Sequence, residues 1–234
     1  MRFGICSAVS VIGLAVAGCA TQGVSTYSHS EPRNPEFNFD RDFTEPQSVV
    51  WDRLVKNIAT SFFVINNIDK ESRILNLSYS SDRPQDYIDC GRTRHDYTLN
   101  GVTKSFEYGT TDNIARYEVA TPRQLSTQAS SSFELVRTAK LEGRANVYVA
   151  PEGNGTKVTV NAKSVTKVMI SGDVVHKSAA GAVLLRQAAT PSVAEFVAIT
   201  KGATSNSVVS GNDVFNVTCY STGKLEQNIL DMAK

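Results

Sequence analysis

The chain has 234 residues, 41% of them hydrophobic and 20% charged, an ordinary balance for a soluble globule. Its formal net charge is +1, and acids and bases are interleaved rather than grouped in runs. That argues against a nucleic-acid binder, which usually carries a basic face, and leaves no polybasic run for a membrane patch.

Met1-Arg2-Phe3 opens the chain with one positive charge, and Gly4 to Val16 is apolar or small throughout. That run has the length of a signal-peptide core and is too short for a bilayer span, which needs ~20 apolar residues. It ends in Leu14-Ala15-Val16-Ala17-Gly18-Cys19. Small residues before a cysteine, directly after such a run, resemble the lipobox of bacterial lipoproteins. The resemblance implies cleavage after residue 18 and acylation of Cys19. Ala20-Thr21 follow, without the aspartate that retains enteric lipoproteins in the inner membrane, so by the same resemblance the address is the outer membrane, facing the periplasm. A single acyl chain binds marginally, and two or more hold stably.

Residues 19–43 are expected to be a lipidated tether. Gln22 to Phe43 is polar, broken by Pro32 and Pro35, and lacks apolar periodicity. Residues 44–234 are expected to form the periplasmic domain, with room for two subdomains. A helix is predicted from about Glu45 to Ser61, with Thr44 and Gln47 as a capping box and Val50, Trp51, Leu54, Val55 and Ile58 on one face. Phe62–Asp69 and the stretch Ile74 to Tyr79 read as a hairpin, and Ser80–Arg94 as a polar loop. Asp96–Leu99 and Val102–Tyr108 flank Asn100-Gly101, a strong hairpin signal. Arg116–Ala120 is a further strand candidate. Phe133–Ala150 and Thr156–Ile170 alternate apolar and polar residues around a turn at Pro151–Gly155, which predicts one long hairpin with a solvated face. Ser171–Ser192 gives no clear pattern beyond a small-residue stretch at Ser178–Val183. Asp213–Cys219 reads as a last strand and Leu225–Met232 as a last helix. The fold class expected is α+β: an antiparallel sheet with long hairpins, packed by an N-terminal and a C-terminal helix.

Four cysteines are present. Cys6 lies in the signal and Cys19 is the lipid site, which leaves Cys90 and Cys219 as an even pair in an oxidising compartment, expected to be bonded. No catalytic, cofactor or metal site is assigned. His29 falls in the tether, His95 among charged residues in a solvated loop, and His176 between Val175 and Lys177; none has metal-ligand spacing. Ser221-Thr222-Gly223-Lys224 matches the SxxK of penicillin-binding enzymes. Only residues 225–234 follow it, too few for those enzymes' downstream motifs, so it reads as a strand-to-helix turn with Ser221 or Thr222 as cap.

Phe62–Ser72, Ile74–Tyr79, Tyr87-Ile-Asp-Cys90-Gly91 and Cys219–Glu226 together resemble a family of uncharacterised proteobacterial outer-membrane lipoproteins, which carries no activity with it. Trp51-x-x-Leu54, the strand through Val64, Asp69 and Ile74 are also similar to the repeated module of the C-subunit lipoprotein of the outer-membrane β-barrel assembly machine. This chain has Arg73 where that module has glycine in the hairpin. The function expected is a non-enzymatic envelope component, anchored in the outer membrane and offering a surface to another envelope protein or to peptidoglycan. The alternatives are a binding module for a small molecule or lipid, favoured by a deep apolar cavity, and a periplasmic hydrolase using Ser221 and Lys224.

Overall fold

Alternation of buried and exposed residues builds the centre of the molecule. In a computed structural model describing residues 23–121, 129–210 and 213–234, two 24-residue strands form one uninterrupted antiparallel hairpin. In chain order the strands are β1 (Val24–Ser30), β2 (Asp40–Phe43), β3 (Val64–Asp69), β4 (Ile74–Ser81), β5 (Ile88–Asp89), β6 (Arg92–Leu99), β7 (Val102–Gly109), β8 (Ile114–Ala120), β9 (Ala129–Glu152), β10 (Gly155–Ser178), β11 (Val183–Ala188), β12 (Ser192–Ile199), β13 (Thr204–Ser210) and β14 (Asp213–Ser221). The helices are α1 (Gln47–Ala59) and α2 (Lys224–Met232). Residues 1–18, read above as an export signal, and Cys19 lie outside the described residues.

The β9–β10 pairing runs without a register shift from Gly155↔Glu152 to Ser178↔Ala129. Gly153, with φ 55°, supplies the left-handed backbone of the connecting turn. Both outer edges of this ribbon are sheathed in relay. On the β9 side β4 pairs along Leu141–Tyr148 and β8 along Ser132–Thr138. Along β10 come β2, then β12, then β11. Among the described residues, both long edges of the ribbon are thus paired rather than open.

Alternate side chains of the turn-proximal half (Leu141, Ala145, Val147 and Val149 on β9, Val158 and Val160 on β10) point to one face and are buried. Against them α1 lays Val50, Trp51, Leu54 and Ile58, and α2 lays Leu225, Ile229 and Leu230. The helices also satisfy each other: Arg53 and Asn57 of α1 donate to the carbonyls of Ala233 and Met232, which the end of α2 would leave without partners. The other half of the ribbon is covered by a three-stranded sheet, β1-β6-β7, over a smaller core of Tyr108, Ala115 and Tyr117. A third small sheet, β13-β14-β5, closes the side near α2.

The long antiparallel hairpin and the two terminal helices agree with the expected fold class. Four local readings are corrected. The stretch read as a coiled tether contains β1, paired to β6 from Val24↔Thr98 to Ser30↔Arg92, and β2, paired to β10. Ser25, Tyr27 and His29, not aliphatic residues, face inward from β1, so the strand has no apolar signature. The Thr44–Gln47 capping box does not form; Pro46 occupies the cap position, and Thr156 Oγ1 donates to the Glu45 carbonyl at 2.7 Å. Much of the expected Ser80–Arg94 loop is ordered into β5 and the start of β6. Finally, β9 and β10 run past their predicted ends at Phe133 and Ile170, because there both faces are covered and alternation disappears.

Candidate interaction surface

The sequence-predicted pair Cys90 and Cys219 is bonded, with Cα atoms 4.2 Å apart and both residues fully buried. Cys90 follows β5, which pairs with β14 through Asp89↔Tyr220 and Ile88↔Ser221. The bond therefore ties the chain after the first hairpin to the C-terminal strand.

Two residues downstream, the SxxK residues turn to different partners. Ser221 Oγ donates to the Glu226 carboxylate at 3.0 Å and accepts from the Gly223 amide. The Lys224 ammonium is half exposed and lies 3.3 Å from Asp86. Glu226 is fully buried and also accepts from Thr200 Oγ1 at 2.7 Å. The hydroxyls hold the carboxylate between β14, α2 and the turn after β12. The cap position of α2 is Gly223 in the left-handed region, with no side-chain cap, so the expected Ser221 or Thr222 cap is replaced by this buried bond.

The three histidines are all on strands. His29 faces inward from β1, and neither ring nitrogen has a partner among the described residues. His95, expected in a solvated loop, is buried on β6. Its ring stacks on Tyr117 at 4.4 Å, meets Tyr27 edge-on at 5.3 Å and places Nε2 3.0 Å from the Tyr108 hydroxyl. Burial, with the neighbouring Arg137 guanidinium, pushes the His95 pKa down to about 4, so the ring is neutral at ordinary pH. Arg137 is itself buried; it donates to the Thr110 and Gly109 carbonyls and lies over the Tyr108 ring at 4.9 Å. This cluster is the polar-aromatic centre of the second core. His176 Nδ1 lies 2.6 Å from Ser131 Oγ. Among the described residues no group of three or more His, Cys, Asp or Glu is placed to hold a metal ion.

Toward the end of the ribbon opposite its turn, charges form a connected chain across strands. Lys104 of β7 and Lys177 of β10 both meet the nearly buried Glu118 of β8, at 2.7 and 3.6 Å. Lys177 also bonds Glu134, which pairs with Arg186, which pairs with Asp173. Burial raises the Glu118 pKa, but hydrogen bonds from Lys104 and Ser132 and the Lys177 charge outweigh it and hold the group below its usual value.

The face of the ribbon turned away from the helices is solvated and carries two unusual features. Ile114, Thr138, Met169 and Val193 stand opposite one another across β8, β9, β10 and β12, so they form one exposed row on this face. Next to it, Arg144 stands directly opposite Lys163, and Lys140 opposite Lys167. Like charges directly opposed in a sheet are destabilising, so these pairs do not serve the fold. Asp82 and Glu195 offset Lys140 and Lys167 at 3.5 and 3.8 Å, and Glu142, exposed on the same face of β9 between Lys140 and Arg144, adds a third acid. This charged and apolar face was not read from the sequence. Its signal was available: Val165 and Met169 fall on the positions of β10 that otherwise carry Lys157, Thr159, Asn161, Lys163 and Lys167. A separate open groove lies between Pro35–Phe39 and Thr200–Gly202, where the Lys201 ammonium sits 4.1 Å over the Phe39 ring. Comparison with protein-family models, curated proteins and solved structures finds no match for this chain.

Proposed function

We propose that the chain is exported, cleaved before Cys19, acylated there and held on the periplasmic side of the outer membrane as a non-enzymatic envelope component. The observation that carries this reading is the sequence Leu14–Cys19 placed directly after a signal-length apolar run. The buried Cys90–Cys219 bond supports it, since such bonds persist in oxidising compartments. The separate partners of Ser221 and Lys224 speak against a hydrolase built on the SxxK match, because a nucleophilic serine needs its base within hydrogen-bond reach. The open ribbon face, with Met169 and Val193 beside Arg144 and Lys163, is the surface offered to an envelope protein or to peptidoglycan.

Cys19→Ser tests the anchor. The variant is expected to accumulate as precursor or to appear in the soluble periplasmic fraction, and its unchanged recovery with the outer membrane overturns the reading. Photo-crosslinking in living cells from Met169 and Val193, compared with the exposed Lys56 of α1, then tests the surface. Adducts from the first two positions alone are expected; equal adducts from all three exclude a dedicated face.

A further inference from the structure

The segment between lipid site and fold is much shorter than a tether spanning 19–43 implies. Because β1 starts at Val24, five peptide units separate its first residue from Cys19, and these reach at most about 18 Å. The pairing of β1 fixes which part of the domain this short lead brings to the bilayer. Val24 lies opposite Thr98, beside the tip of the β6–β7 hairpin. Ser25 Oγ accepts the Ala120 amide, and Ala120 pairs with Ser132 near the start of β9. The chain thus enters the domain at the end of the ribbon opposite its turn.

Among the described residues, that same end presents two uncharged turns. From the end of β10 into the first residues of β11, Ala179-Ala180-Gly181-Ala182-Val183-Leu184 are all exposed, without a charged residue. Turns facing water normally draw on Asn, Asp, Ser, Gly and Pro. Between β6 and β7 the tip is Leu99-Asn100-Gly101-Val102. Val24, Val102, Val183 and Leu184 are 62%, 66%, 55% and 53% exposed, among the most exposed large apolar side chains described. The two turns are neighbours, because Lys104, just behind one tip, and Lys177, just before the other, share the Glu118 carboxylate. Their ammonium groups are thereby engaged, and the apolar tips project beyond them.

We propose that this end of the domain rests in the headgroup layer of the bilayer that holds the Cys19 acyl chains, with the Ala179–Leu184 turn and the Leu99–Val102 tip inserted beside the anchor. The inference rests on the lipid-anchor reading above. Shallow burial of a few apolar side chains is weak alone, but an acylated residue a few peptide units away supplies the second attachment that stable membrane contact requires. The domain is then oriented by three points: the lead to β1 and the two tips.

The test uses the full acylated protein reconstituted into phosphatidylethanolamine–phosphatidylglycerol vesicles. With Cys90 and Cys219 bonded and Cys19 acylated, an added cysteine is the one labelled thiol. Environment-sensitive fluorophores are attached through Val102→Cys, Val183→Cys and, near the turn of the ribbon, Tyr148→Cys. Expected are a blue shift and quenching by headgroup nitroxide lipids at 102 and 183, with neither at 148. Adding Val183→Asp and Leu184→Asp should leave the protein floating with vesicles while the label at 102 loses its shift. Flotation with all three labels equally open to aqueous iodide overturns the membrane-contact proposal and leaves the anchor standing. Labels at 102 and 183 that are shielded in native outer membranes but not in pure lipid also overturn it, in favour of a protein contact. Failure of the acylated chain to float removes the anchor reading and this inference with it.

Discussion

Arg73 shows how a single backbone angle carries information that composition hides. Its φ of 62° lies in the left-handed region, at the turn between β3 and β4, where a Cβ costs roughly 1–2 kcal/mol. Arg73→Gly relieves that strain, offset in part by the greater freedom of glycine in the unfolded chain. The variant is expected to be more stable by about 1 kcal/mol, read as a higher urea midpoint with unchanged slope. His95 makes a second residue-scale case. Its pKa of about 4 when folded lies below the ordinary value near 6.5. The unfolded chain therefore binds the proton first, and stability present above pH ~6.5 falls as pH drops toward 4, by roughly 3 kcal/mol for this group. His95→Phe should flatten that part of the stability–pH curve while keeping the ring stack on Tyr117. If wild type and variant lose stability in parallel between pH 6.5 and 4.5, the neutral buried imidazole is not the cause. Composition and periodicity pick out neither residue. Arg73 looks like any polar turn residue, and His95 sits between Arg94 and Asp96, whose side chains point the other way on the same strand.

Among the elements, legibility followed side-chain chemistry. The half-ribbon under α1 and α2 alternates valine, alanine and leucine with charged residues, and its strands and helices were predicted within a few residues. β1 was missed because Ser25, Tyr27 and His29 face its core side. The ends of β9 and β10 were missed because Ser131, Ser132 and His176 are buried there through hydrogen bonds rather than apolar packing. The disulfide was legible by counting, since setting aside Cys6 and Cys19, read as signal and lipid cysteines, leaves one pair. It closes a loop of 129 positions, which chain-entropy arithmetic values at about 5 kcal/mol. Cys90→Ser with Cys219→Ser is expected to lower stability by up to about that amount, and the wild type should fall to the same melting temperature under strong reductant. A wild type whose melting does not respond to reductant would argue that the bond adds little to the packing of β5 on β14.

For the whole molecule, the two cores are unlike each other yet share the same pair of strands. One is aliphatic and closed by helices; the other is a stack of Tyr27, His95, Tyr108 and Tyr117 around Arg137. Since β9 and β10 run through both without interruption, loss of either core should unravel the other. Leu141→Ala, at a fully buried site on the helix side, should cost about 2–5 kcal/mol. Trp51 fluorescence and near-UV tyrosine dichroism should then shift together in one transition. Two separated transitions would show that the halves are independent subdomains, the division the length of the chain allowed for. The open face of mixed charge belongs to this scale too. Its four opposed charges become neighbours only once β9 and β10 are in register, so no local window of sequence displays them.

The uninterrupted register of the long hairpin also makes it a mast. Twenty-four residues at ~3.3 Å each place the Gly153–Asn154 turn up to roughly 80 Å from the end at which the chain enters. That is well over twice the ~30 Å of a bilayer's hydrocarbon layer. The height of such a mast can change only in coarse steps. Deleting one matched pair would shorten it by ~3.3 Å but turn every residue beyond the deletion to the opposite face, setting valines toward water and lysines against the helices. Deleting two pairs restores the faces, so the reach of this protein is quantised in increments of about 7 Å.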